Sequence, residues 1–168
     1  MSQPARATAP RIQRSAVPSL LLGAAVVVLA SVLILGTDVG APAVVRGSMA
    51  PEFALSRLNM AKGGEGSKLR LSAQRGRVVL INFWATWCEP CEREMPAMER
   101  LYRTLAGDDF ELIAVAIDDQ EADVKAFQQR MRLSFPIVLD PSRSVYDSYQ
   151  TMGVPESLLI DREGRIVE

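Results

Sequence analysis

The chain has 168 residues, 48% of them hydrophobic, and a formal net charge of -1, a length that suits one folded domain with an appendage. It contains no histidine and only two cysteines, which excludes Cys/His zinc sites, Ser-His-Asp and Cys-His nucleophile pairs, covalent haem attachment and histidine acid–base chemistry. Arg6, Arg11 and Arg14 precede the first acid, Asp38, and nothing after them forms the clustered basic face that nucleic acid requires.

Between Arg14 and Asp38 runs SAVPSLLLGAAVVVLASVLILGT, without a charge. At about 1.5 Å per residue, a helix of about 20 such residues spans the roughly 30 Å hydrocarbon core of a bilayer. With arginines ahead of it and none close behind, residues 1–14 are expected to be cytoplasmic, 15–37 to form a transmembrane anchor, and the remainder to lie outside. The rival reading is a cleaved signal peptide, supported by the small residues Ala41-Pro42-Ala43. The apolar region exceeds the roughly 7–15 residues usual in a signal, which favours the anchor. Residues 38–50 mix Gly, Pro, Ala and Val without period and read as a linker, so the domain is expected over 51–168.

Within that domain FALSRL and KLRLS, separated by the Gly-rich AKGGEGS, predict an opening hairpin or extended pair. VVLINF is a continuous apolar run of strand length, as expected of a strand covered on both faces. A helix is expected over Glu89 to Leu105, with Met95, Met98, Leu101, Tyr102 and Leu105 as its buried stripe and Gly107 as its stop. Next come a second buried strand in ELIAVAID, a helix from Glu121 to Met131, a short strand in FPIVLD and a short helix from Ser144 to Tyr149. Two strands, SLLID and RIVE, joined by the turn Asp161-Arg162-Glu163-Gly164, close the pattern. Strands alternating with helices imply an α/β fold built from βαβ units. The methionines fall on the stripe of the first helix and read as core packing rather than a metal-binding face.

Both cysteines lie in TWCEPC, with Cys88 at the start of the first helix and Cys91 one turn further on the same face. That spacing brings the sulfurs within disulfide reach. Unpaired N–H groups and partial positive charge at a helix start favour a thiolate at Cys88, and Cys-X-X-Cys settings lower a thiol from about 8.5 to about 7 or below. Cys88 is therefore the candidate nucleophile, and Cys91, facing inward, the resolving thiol. A structural disulfide over so short a loop contributes little chain entropy, and half a zinc site lacks further Cys or His ligands, so redox exchange is the stronger reading.

NFWATWCEPCEREMP, residues 82–96, followed by GVPESLLIDREGRIV, residues 153–167, resembles the TlpA/ResA/DsbE (CcmG)-type family of membrane-anchored, thioredoxin-like thiol-disulfide oxidoreductases. The resemblance runs from APEF near Pro51 to the end. It implies a thioredoxin-like fold with a central mixed sheet, an N-terminal extension, and a strand and helix inserted between ELIAVAID and FPIVLD. It also implies that Pro155 is the cis-proline beside the active-site disulfide, that Glu94 handles the proton of the buried thiol, and that Glu156 matches an acid of the cytochrome c maturation branch. Read without the family, Glu94 is equally a solvated helix position and Glu156 a surface acid. Asn82 stands where cytosolic thioredoxins often carry a buried Asp, leaving that task open to Glu94. Relatives continue past GRIV into a final helix, which is expected to be absent here, either because the chain is a fragment or because one sheet face is less covered.

The expectation is thus an extracytoplasmic thiol-disulfide oxidoreductase that needs no cofactor beyond the Cys88–Cys91 disulfide and binds no metal. Trp87, Glu89, Pro90, Val154, Pro155 and Glu156 are the candidate substrate contacts. Glu89, Glu92 and Glu94 surround the cysteines with negative charge, which opposes a thiolate and favours a reductant. The expected partners are a protein disulfide, with apocytochrome c implied by the resemblance, a membrane thiol reductant as electron donor, and the membrane itself; nucleic acid is not expected. Alternatives are a general disulfide oxidoreductase or oxidase of exported proteins, a thiol peroxidase, for which the usual Pro-X-X-X-Thr-X-X-Cys pattern is missing, and a copper chaperone, which would want a further His ligand.

Overall fold

Two apolar runs form the middle of the sheet. In a computed structural model, which describes residues 44–58, 67–105, 107, 109–118 and 120–167, Val78–Trp84 is strand β3 and Phe110–Ala116 is β4. Leu112 to Ala116 are fully buried, which explains the absence of any polar alternation: both faces are covered. The hairpin strands are β1, Ala54–Arg57, and β2, Lys68–Arg70, and the later ones are β5, Ile137–Leu139, and β6, Glu156–Ile160. The helices are α1, Glu89–Leu105, α2, Glu121–Met131, and α3, Ser144–Ser148. The expected membrane segment lies outside the described residues, and among these no helix is long and apolar enough to cross a membrane.

The six strands lie in the order β2-β1-β5-β4-β3-β6. β3 and β5 both run parallel to β4, while β6 is antiparallel to β3 and the β1–β2 hairpin joins antiparallel at β5. This is a mixed sheet of thioredoxin type. The parallel joins demand crossovers, which α1 and α2 supply.

Alternation along β3 assigns the helices to faces. Trp84 meets Phe127 of α2, with ring centroids 4.8 Å apart, and Asn82 reaches Glu94 of α1. Phe83, between them, points the other way to Tyr146 of α3 and to Tyr149, at 6.0 and 5.4 Å. Tyr149 also packs on Phe53 and donates its hydroxyl to Pro51 O at 2.8 Å, which ties the start of the domain to the second face.

Four expectations change. Between β4 and β5 the described residues hold α2 but no inserted strand, because α2 alone makes the crossover between these two parallel strands. Residues 165–167 of the expected last strand form only isolated bridges: Arg165 pairs with Met49 and Ile166 with Ile160, because the chain leaving the turn is shared between the end of β6 and residues before β1. The turn closes from Gly164 N–H to Asp161 O at 3.0 Å, with Gly164 at φ +85°, where a side chain would be strained. Residues at the end of the expected linker are packed, with Ala50 buried and Gly47 N–H donating to Ile166 O at 2.7 Å. Finally, only the first part of the α1 stripe is core: Met95 is buried, but Leu101 and Leu105 are 36% and 48% exposed. They line an open apolar groove of about 490 Å³ with Val78, Leu80, Phe110 and Leu159, because the last turns of α1 reach past the well-covered centre of the sheet.

Candidate redox site

The site forms where β3 ends and α1 begins. Ala85, Thr86 and Trp87 carry the chain from the buried Trp84 to Cys88, and α1 starts at Glu89. Cys88 and Cys91 form a disulfide with an S–S distance of 2.06 Å and Cα atoms 5.2 Å apart. The two sulfurs are not equivalent. Cys91 is fully buried and Cys88 is 4% exposed at the surface end of the helix, and the Cys91 N–H donates to Cys88 Sγ at 3.2 Å. Thus a backbone donor of the first helical turn is aimed at Cys88, where negative charge would appear on reduction. Trp87 beside it is 64% exposed, and Glu89 and Pro90 are exposed too.

The loop before Cys88 is held from the next strand. Asp118, just beyond β4 and 7% exposed, accepts the Thr86 N–H through both carboxylate oxygens, at 3.0 and 3.1 Å, and also accepts the Thr86 hydroxyl. Ile117 N–H donates to Trp84 O at 3.1 Å, continuing the β3–β4 ladder up to this lock. Sequence reasoning missed Asp118. The available signal was an acid at the end of the apolar run ELIAVAID, where a solvated strand end was the simpler reading.

The three glutamates around the cysteines differ. Glu89 pairs with Arg93 on the same helix at 2.6 Å. Glu92 pairs with Arg130 of α2, and the Arg130 hydrogen bond holds its carboxyl below the usual range. Arg130 also lies 4.9 Å over the Phe127 ring. Two of the three charges expected to oppose a thiolate are therefore matched by arginines, and the local negative field is weaker than the sequence suggests. Glu94 is the exception. It is half-buried and turns inward to accept from Asn82 Nδ2 at 2.9 Å, while the same Nδ2 donates to Ser157 Oγ at 3.0 Å. A merely solvated position would not make this contact.

The second loop of the site precedes β6. The Val154–Pro155 peptide is cis, and Glu156, the first residue of β6, lies opposite Phe83 near the end of β3. The loop and the cysteines therefore stand at the same end of the sheet. Val154 and Pro155 are half-buried, whereas Met152 is 97% exposed. Glu156 accepts the Met152 N–H at 3.2 Å, so its carboxylate is engaged in closing its own loop rather than standing free as a surface acid.

Residues 46–168 match the AhpC/TSA family. The thiol-disulfide oxidoreductase ResA of Geobacillus thermodenitrificans is 42% identical over 124 residues, covering 74% of this chain and 68% of that protein. The ResA of Bacillus subtilis is 36% identical over 129 residues, covering 77% and 69%. Among solved structures, one from Chlorobium tepidum described as a thiol:disulfide interchange protein DsbE superposes with a TM-score of 0.66 at 32% identity, covering 74% of this chain and 83% of the other. The thioredoxin domain of a thiol-disulfide oxidoreductase from Bacteroides vulgatus gives 0.65 at 29% identity, covering 73% and 86%. With a paired Cys-X-X-Cys at a helix start on a mixed thioredoxin-like sheet, the chain belongs to the AhpC/TSA family as a thioredoxin-like thiol-disulfide oxidoreductase of the ResA/DsbE type.

Proposed function

We propose that this oxidoreductase works outside the cytoplasm, held by residues 15–37, and reduces protein disulfides, with the cysteines of apocytochrome c before haem attachment as its clients. The observation that carries the chemistry is the asymmetry of the pair: the Cys91 N–H is directed at Cys88 Sγ while Cys91 itself is fully buried. Cys88 as thiolate attacks one client sulfur; the other client sulfur leaves as a thiolate, and a mixed disulfide forms. Cys91 then gives its proton to Glu94 and attacks Cys88 Sγ, the bond from Cys88 to the client breaks, and the second client sulfur is released. The client gains two electrons, its two thiolates take one proton back from Glu94 and one from water, and the protein keeps the Cys88–Cys91 disulfide. A membrane thiol reductant restores the dithiol. No cofactor beyond the cysteine pair takes part.

The exposed Trp87, Glu89 and Pro90 on one side and Val154, Pro155 and Glu156 on the other supply the client contacts. Localisation rests on Arg6, Arg11 and Arg14 ahead of an uncharged run. The cytochrome assignment rests on similarity to ResA and DsbE proteins. The test is the full chain with Cys91→Ser, which cannot resolve the mixed disulfide and so retains its clients covalently. Apocytochrome c among them is the expected result. A redox titration against glutathione fixes the direction. A potential near the reducing value of about -270 mV supports the reading, and one near the oxidising value of about -120 mV makes the protein an oxidase.

A further inference from the structure

Asn82 is a buried amide in the middle of an apolar strand, and half of its hydrogen-bonding capacity is idle. It is 1% exposed between the fully buried Ile81 and Phe83. Its Nδ2 serves Glu94 Oε1 and Ser157 Oγ, at 2.9 and 3.0 Å, while its enclosed Oδ1 has no partner among the described residues. An unpaired buried carbonyl opposes folding, and a leucine of similar shape would not carry that cost. The amide therefore suits Glu94 better than it suits the core.

An ionised carboxylate only accepts hydrogen bonds, whereas a protonated one also donates. The Nδ2 end of Asn82 serves the ionised form, which is the arrangement seen with the disulfide closed. The protonated form still accepts through its carbonyl oxygen, so the same Nδ2 can hold it without a turn that would bury two unpaired N–H donors where Oδ1 finds no partner. Ser157 Oγ takes the second Nδ2 hydrogen in both states. Beside Asn82 on this face β4 presents Ala114 and β6 presents Ser157, neither ionisable, and α1 brings Glu94, one turn after Cys91, onto its amide.

We propose that Asn82 is a positioning residue whose Nδ2 holds the Glu94 carboxyl for proton exchange with Cys91, one turn before it, in both of its charge states, with Ser157 as its second mount. This rests on the proposed role of Glu94, and the test separates the two. The reduced full chain is mixed with oxidised glutathione, quenched with acid at intervals and weighed by mass spectrometry, so that the glutathione mixed disulfide at Cys88 is followed directly. Glu94→Gln should prolong that intermediate. Asn82→Leu should prolong it by about tenfold, less than the roughly hundredfold that a 1 Å misplacement can cost, while its melting temperature stays level or rises. Ser157→Ala, a milder change, should prolong it by about twofold. In the Glu94→Gln background Asn82→Leu should add less than about twofold. An unchanged lifetime in Glu94→Gln overturns the role of Glu94 and this inference with it. A prolonged lifetime in Glu94→Gln with normal lifetimes in Asn82→Leu and Ser157→Ala overturns this inference alone. So does a full tenfold effect of Asn82→Leu that persists without Glu94.

Discussion

Asp118→Ala tests whether the active-site loop is held from β4. The nearly buried carboxylate takes the Thr86 N–H through both oxygens and the Thr86 hydroxyl through one. Hydrogen bonds to a charged group contribute about 1.5–3 kcal/mol each. Thr86 is half-buried, so water recovers part of what its two donors lose, and the low end applies. Two donors at about 1.5 kcal/mol, less partial rehydration of the hydroxyl, leave a loss of about 2 kcal/mol. In urea, where the slope for a small domain is about 1–3 kcal/mol per molar, that lowers the unfolding midpoint by about 1 M. Thr86→Val removes the hydroxyl alone and should cost about 1 kcal/mol. Because both substitutions delete the same contact, the double variant should lose less than the sum of the singles by about 1 kcal/mol. A midpoint for Asp118→Ala within about 0.2 M of the parent, or strict additivity in the double variant, would refute the lock.

In the reduced protein, iodoacetamide should modify Cys88 much faster than Cys91, because Cys91 is fully buried and donates its N–H to the Cys88 sulfur; equal rates would remove the distinction between attacking and resolving thiols. Two buried acids should respond to pH in opposite directions. Burial raises the Glu111 carboxyl above its ordinary value of 4.5, against the lowering effects of the Leu112 N–H and Arg77, so its contribution is greatest below that value and is lost as pH rises through the folded one. Glu111→Gln should therefore raise the melting temperature at pH 7 by about 2 °C and give no gain at pH 3. Glu99, despite its burial, is held below 4.5 by hydrogen bonds from the Ser134 N–H and hydroxyl and from Arg103. Its contribution is present above 4.5 and lost as pH falls through the folded value, so Glu99→Gln should be less stable than the parent at pH 7 and should lose less on acidification.

The sequence determined what short-range pattern can determine. Helical spacing marked α1 from Glu89 to Leu105 and α2 from Glu121 to Met131, and the structure has the same limits. The apolar runs marked β3 and β4, because a strand covered on both faces leaves no polar alternation to hide it. The cysteine pair was legible for the same reason: residues three apart at a helix start must lie together. The contacts that position this pair were not legible, since they join residues 32, 38 and 75 apart: Thr86 to Asp118, Glu92 to Arg130 and Asn82 to Ser157. Each depends on the strand order β5-β4-β3-β6 and on which face a helix covers, and local spacing carries neither. The sequence put three negative charges around the cysteines; only tertiary packing brought Arg130 of α2 onto Glu92 and turned Glu94 toward the sheet. The exposure of Leu101 and Leu105 was decided in the same way, because periodicity fixes which side chains share a helix face, while the surface that meets that face is set by the rest of the chain.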